Sequence, residues 1–195
     1  MTGVRILRST DYNVAGQIIG ESFADDPVNR WVFGCEKAMR PFFTQVARKL
    51  YLPRGYGHRI GDDACTLWLP PGVAKHIPLY RSLDIAASLV VNSGFGAIVR
   101  GMKLDNALDN RRPSEPHHYL FAIGARPSRQ GKGLGKALML AGLQLVDESR
   151  MPAYLESSKE SNVPFYRHFG FEVTEKLKPT VNCPPLWLMW REARR

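Results

Sequence analysis

The chain is short of cysteine, of acidic residues and of any long apolar run. Cys35, Cys65 and Cys183 are its only thiols. They are too few and too scattered for a disulfide framework, and no CxxC spacing exists. Cys65 sits in the apolar run Cys65-Thr66-Leu67-Trp68-Leu69 and reads as a buried free thiol of a reducing compartment, so a cytoplasmic location is expected. The histidines His58, His76, His117, His118 and His168 form no pair at ligand spacing beside a Cys or carboxylate cluster, and no metal site is expected. No stretch approaches the roughly 18 consecutive apolar residues of a membrane span. Met1 to Asp11 carries Arg5 and Arg8 without an apolar block and does not read as a signal peptide. With 17 Gly and 14 Pro in 195 residues, collagen-like and low-complexity chains are excluded.

What is present is the balance of one globular domain spanning 1–195: hydrophobic residues make up 44% and charged residues 23%. A chain this long can bury a core without staples. Lys and Arg number 27 against 18 Asp and Glu, a net charge of +9. Such a surplus favours an anionic partner: nucleic acid, an acidic membrane or a polyphosphate ligand. The charges are not blocked into long runs, and no basic patch interleaved with aromatics is found, so neither nucleic acid nor membrane is expected as partner.

The hydrophobic periods place the elements. Val4 to Leu7 alternates as a first strand, and Val14, Ala15, Ile18, Ile19 and Phe23 mark an amphipathic helix that Asp25-Asp26-Pro27 breaks. Pro41 opens a second helix with the stripe Phe42, Phe43, Val46, Ala47 and Leu50. Two strands, 56–60 and 64–69, join through Gly61-Asp62-Asp63 as a hairpin. Residues 73 to about 110 read as helical, divided at Gly94 and Gly96, and Arg111 to Pro116 as extended linker. Tyr119 to Ile123 is a central strand, 132–148 a helix, 153–156 a strand and 162–169 a short helix. Strands at 171–173 and 186–190 close the chain. The apolar last strand leaves monomer and homodimer both open.

Gln130-Gly131-Lys132-Gly133-Leu134-Gly135-Lys136 lies between a buried strand and an apolar helix. Alternate glycines let the backbone approach a ligand, and the unpaired N–H groups of a helix start favour an anion, most often phosphate. Arg126, Arg129, Lys132 and Lys136 add charge. A P-loop would need Ser or Thr after Lys136, where Ala137 stands, and a dinucleotide fingerprint would need a third glycine at Lys136.

Gln130-x-x-Gly133-x-Gly135 opening a helix, followed by Asn162-Val163-Pro164-Phe165-Tyr166 and Gly170-Phe171, resembles two motifs of the GNAT superfamily of N-acetyltransferases. Arg112-Pro113-x-Glu115-Pro116 and Leu155-Glu156-x-Ser158 carry the likeness toward the puromycin N-acetyltransferase group. It is firm over about 111–175 and thin over the first 110 residues, where Phe23 to Pro27 and Trp68 fit. The resemblance implies an α/β (α+β) fold: a mixed central sheet of about six to seven strands flanked by helices. A helical insertion of about 73–112 then lies between strands three and four. It implies transfer of an acetyl group from acetyl-CoA to a primary amine of a small molecule, with a protein acceptor or a non-catalytic CoA sensor as alternatives. The pyrophosphate would rest on Gly131, Lys132, Gly133, Leu134, Gly135 and Lys136 beside Gln130. The pantetheine would run along Ile123, Gly124 and Ala125, where strands four and five splay, and a backbone N–H near Ala125 would meet the oxyanion.

Within that frame Tyr166 is expected to protonate the departing thiolate, a phenol of pKa about 10 facing a thiol of about 8.5. Glu156, at a strand end, is the candidate base, with His117 and His118 as weaker alternatives. Asn162 fixes the cofactor arm or caps the short helix. Phe23 and Trp68 are expected to wall the acceptor pocket, and the insertion to carry acceptor specificity.

Overall fold

The computed structural model describes residues 3–75 and 79–194, with backbone alone over 79–82; His76 lies outside the described residues. Seven strands form one sheet in the order β1-β2-β3-β4-β5-β7-β6. They are β1 (Val4–Ile6), β2 (Tyr56–Ile60), β3 (Ala64–Leu69), β4 (His118–Ala125), β5 (Ala153–Ser157), β6 (Glu172–Leu177) and β7 (Leu186–Arg191). Every neighbouring pair is antiparallel except β4 and β5. The mixed α/β fold expected from the sequence is therefore observed. β7 lies inside the sheet, between β5 and β6, so burial accounts for its apolar run Leu186-Trp187-Leu188-Met189.

One face carries α1 (Tyr12–Ser22), α2 (Pro27–Phe33) and α3 (Met39–Val46), which passes through a π-helical turn at Ala47–Tyr51 into the short α4 (Leu52–Arg54). Ile18, Ile19, Phe43 and Val46 bury there against Cys65, Leu67 and Tyr119. α7 (Leu134–Ser149) and α8 (Val163–His168) cover the other face, with Met139, Leu143 and Val146 against Trp68, Leu120 and Leu155. α1 and α3 approach so closely that a Cβ on Gly16 would stand 2.5 Å from Thr44 Cα.

The insertion between β3 and β4 is a helical hairpin, α5 (Leu79–Ser93) and α6 (Phe95–Asp109), laid over α3 and α2. Gly94 alone divides it, with φ +75°; Gly96 lies inside α6. The guanidinium of Arg100 ties the hairpin down by donating to Val32 O at 3.0 Å.

Asp25-Asp26-Pro27 does more than break α1. Asp26 caps a further helix, α2: its carboxylate accepts the Asn29 N–H at 2.8 Å, and Pro27 takes the first position. Nor does Pro41 open its helix; α3 begins at Met39, and the proline falls in the first turn, where no N–H bond is lost.

Candidate active site

The site begins with a bulge. Leu67 pairs with Ala122 and Trp68 with Leu120, so Phe121 is an extra residue on β4. A bulge bends its strand and disrupts the ladder. On the other edge, β4 pairs with β5 at His118, Tyr119 and Leu120 and no further. The strands part at the bulged residue and leave 121–125 without a partner on that side. Arg126 N donates to Asp63 O, in the turn just before β3, at 2.8 Å. The strand alternation then turns the peptide groups of Ile123 and Ala125 into the gap and those of Gly124 toward β3. Gly124 serves the site by having no side chain: a Cβ there would lie 2.1 Å from Ser22 Oγ.

Beyond the gap the chain turns into α7. Gly131 and Gly133 have φ +74° and +76°, and a Cβ at either would meet nothing within 4 Å. They are glycines for backbone conformation, not for space. Leu134, Gly135 and Lys136 form the first turn of α7, whose leading N–H groups lack intrahelical acceptors. Of the four cations expected here, Arg126 is 3.6 Å from Glu21 and Arg129 is 2.8 Å from Asp63. Lys132 and Lys136 are exposed and have no ion pair among the described residues. The Gln130 amide donates to Ala125 O at 3.2 Å, which ties the turn to the end of β4.

A cavity of about 990 Å³ runs from this turn through the gap to the insertion helices. Tyr166, Glu156, Asn162, Phe23, Ile123, Gly124 and Ala125 all border it, with Gln130 to Lys136 at its mouth, Lys132 excepted. Tyr166 is buried, and burial first, then the Asp26 charge, pushes its phenol well above the usual range. Asn162 makes no side-chain capping bond to α8, so its amide is available to a ligand. Glu156 is held by Tyr119, whose hydroxyl donates to Oε2 at 2.5 Å, and lies 4.0 Å from the Arg112 guanidinium.

Trp68 is corrected. It is fully buried on the α7 face, stacked on Tyr56 and pressed against Gly142, and it does not border the cavity. The alternation of β3 is the reason: Cys65, Leu67 and Leu69 face the helices of the cavity side, and Trp68 between them faces α7. His118 is also buried on that face, bonded to Tyr56 and Ser149 at 2.8 and 2.9 Å. His117 sits against Glu115 O at 2.6 Å, beside a separate small pocket. The sequence reading missed Asp26, Tyr51 and Tyr119 as site residues. Asp26 had a legible signal, an Asp-Pro helix start, whereas Tyr51 and Tyr119 carry none.

A helix start suited to an anion, a parallel strand pair opened beside it and a large cavity beyond lie together in one site. Residues 80–171 match the family described as Acetyltransferase (GNAT) family. An uncharacterised N-acetyltransferase of Schizosaccharomyces pombe is 28% identical over 95% of this chain and 81% of its own length. The fold is shared with a Corynebacterium glutamicum structure described as histone acetyltransferase HPA2 and related acetyltransferase (TM-score 0.72, 21% identity, covering 98% of this chain and 96% of that one). It is shared too with a PaiA N-acetyltransferase from Thermoplasma acidophilum solved with coenzyme A (TM-score 0.52, 12% identity, 97% and 99% covered). Over residues 80–171 and in its fold the chain is thus similar to the GNAT acetyltransferases, a family that uses acetyl-CoA.

Proposed function

We propose that this chain transfers the acetyl group of acetyl-CoA to a primary amine of a small molecule. The observation that carries this reading is the gap between β4 and β5. It joins the glycine turn to a buried chamber through a passage that Tyr166 borders. The exposed edge at Ile123 and Ala125 offers backbone partners to a pantetheine arm, and the start of α7 with Lys132 and Lys136 suits its phosphates. Gly131 and Gly133 supply the left-handed backbone that shapes this turn.

In the reaction the amine nitrogen bonds to the thioester carbonyl carbon and the carbon–sulfur bond breaks. Glu156 takes one proton from the ammonium, directly or through water, and the second leaves the nitrogen for solvent once the carbon–nitrogen bond has formed. The Ala125 N–H, turned into the gap, donates to the carbonyl oxygen as charge gathers there. Tyr166, kept protonated by its burial, donates to the leaving thiolate and regains its proton from solvent.

A deep cavity lined by side chains of α3 and the insertion helices suits a small acceptor, and the likeness to the puromycin-acetylating group makes puromycin one compound to try. The test is a thermal melt with acetyl-CoA followed by thiol detection with an amine panel. At 100 times its dissociation constant a specific ligand adds about 2.7 kcal/mol. Stabilisation without thiol release from any amine would leave a CoA-binding sensor; no stabilisation would end the reading.

A further inference from the structure

The two ends of the cavity differ in charge and polarity. At the glycine turn the charged neighbours are Arg129 and Lys136. At the far end, in a chain of net charge +9, the charged side chains are Asp26, Asp105 and Glu156 against Lys75. Each of these but one is satisfied. Lys75 lies 3.5 Å from Asp105. Asp26 accepts Asn29 through one oxygen and the Ser158 hydroxyl through the other. Lys159, at the rim, is tied to Asp25 at 2.7 Å. The exception is Glu156. Its side chain is 6% exposed, and its Oε1 has no hydrogen-bond partner among the described residues. Arg112 gives one Nη to Asp109 at 2.9 Å and holds the other, itself without a hydrogen-bond partner, 4.0 Å from Oε1, an ion pair too long for a hydrogen bond. A buried carboxylate oxygen left without a donor is costly unless a ligand supplies one. Tyr51 stands close enough for the Glu156 charge to raise its phenol, after burial has done so first. The Tyr51 ring stacks on Phe121 at 4.1 Å. Carboxylate and aromatic faces together are the surroundings that stabilise an ammonium.

The rest of this end is apolar. Phe42, Val46, Ile85, Leu89, Ile98 and Leu108, from α3 and the insertion hairpin, line it. A polyamine, an amino sugar or a peptide lysine would bring further polar groups against this apolar stretch, where Asp26 and Asp105 already have partners, at a cost that grows with each.

We infer that the acceptor is a primary amine on an apolar body, alkyl or aryl. Its ammonium docks on Glu156 Oε1, and its body fills the chamber that α3 and the α5–α6 hairpin enclose. This rests on the acetyl-transfer reading but is measured separately from it. Binding to the CoA-loaded protein is read by calorimetry for butylamine, octylamine, octanol, phenethylamine, spermidine and glucosamine, and thiol release is then read with acetyl-CoA. Octylamine is expected to bind at least about tenfold more tightly than butylamine, because each added methylene leaves water. It should also bind about tenfold more tightly than octanol, because only the ammonium pairs with the carboxylate. Glu156→Gln should remove the preference for octylamine over octanol. Ala86→Leu, which adds bulk on the chamber wall, should shrink the preference for octylamine over butylamine. Spermidine or glucosamine binding as tightly as octylamine would overturn the inference, as would equal binding of octylamine and octanol to the unaltered protein. Tight octylamine binding without thiol release would sink the transfer reading and leave the chamber assignment standing.

Discussion

Tyr166 is a residue whose role depends on the layer it reaches. Its ring is gripped by Phe165 and Phe171, at 5.3 and 6.3 Å between centroids, while its residue borders the cavity. Removing the hydroxyl should leave that packing in place and take away the proton donor. Tyr166→Phe is expected to lower kcat by roughly 10²-fold while the acetyl-CoA dissociation constant stays within about twofold. Steady-state thiol release and a binding titration check it, and an unchanged kcat would remove Tyr166 from the chemistry. The family resemblance, not residue type alone, put Tyr166 and Glu156 forward, and both border the cavity. Neither signal revealed that Glu156 would be clamped on one oxygen by Tyr119, since a contact across 37 residues leaves no local trace. Trp68 shows the same limit from the other side: alternation along β3 separates it from Leu67 and Leu69, but which of the two faces borders the cavity is set by the helices packed there.

Among the elements, α7 holds two glycines with opposite reasons for being there. Gly133 at the start of α7 sits in left-handed backbone with room around it. Gly133→Ala should therefore cost roughly 1 kcal/mol of stability and weaken acetyl-CoA binding through the altered turn. Gly142 lies mid-helix, where alanine is ordinarily better by about 1 kcal/mol. Here a Cβ would come within 2.7 Å of the Trp68 indole nitrogen. The indole is fully buried and has nowhere to retreat, so Gly142→Ala should instead destabilise by roughly 1–3 kcal/mol. Urea denaturation of the two variants decides, and a gain at Gly142 would contradict the packing described. Element existence was readable along most of the chain, since β2, β3, α1 and α7 follow clean hydrophobic periods. α2 was not expected at all, because Asp-Pro both ends one helix and caps the next.

For the whole molecule, acid stability should follow His118. Burial, and next the nearby His117, depress it from 6.5 to about 4. The unfolded chain takes up that proton near pH 6.5 and the folded one only near 4, so between these values the unfolded state holds more protons. Stability is therefore expected to be full above about 6.5 and to fall as pH drops toward about 4. Urea midpoints at pH 7 and pH 5 measure the slope, and His118→Gln should flatten it. A slope unaffected by that change would assign the acid sensitivity elsewhere.

At this scale the division of labour between chain and fold is clear. Local sequence determined the glycine turn, the helix that opens from it and the order of strands, because periodicity, capping and left-handed glycines act within a few residues. Tertiary structure alone decided the parting of β4 from β5, the face on which Trp68 lies and the unpaired oxygen of Glu156. Each of these depends on register across strands or on neighbours distant in the chain, which no window of sequence contains.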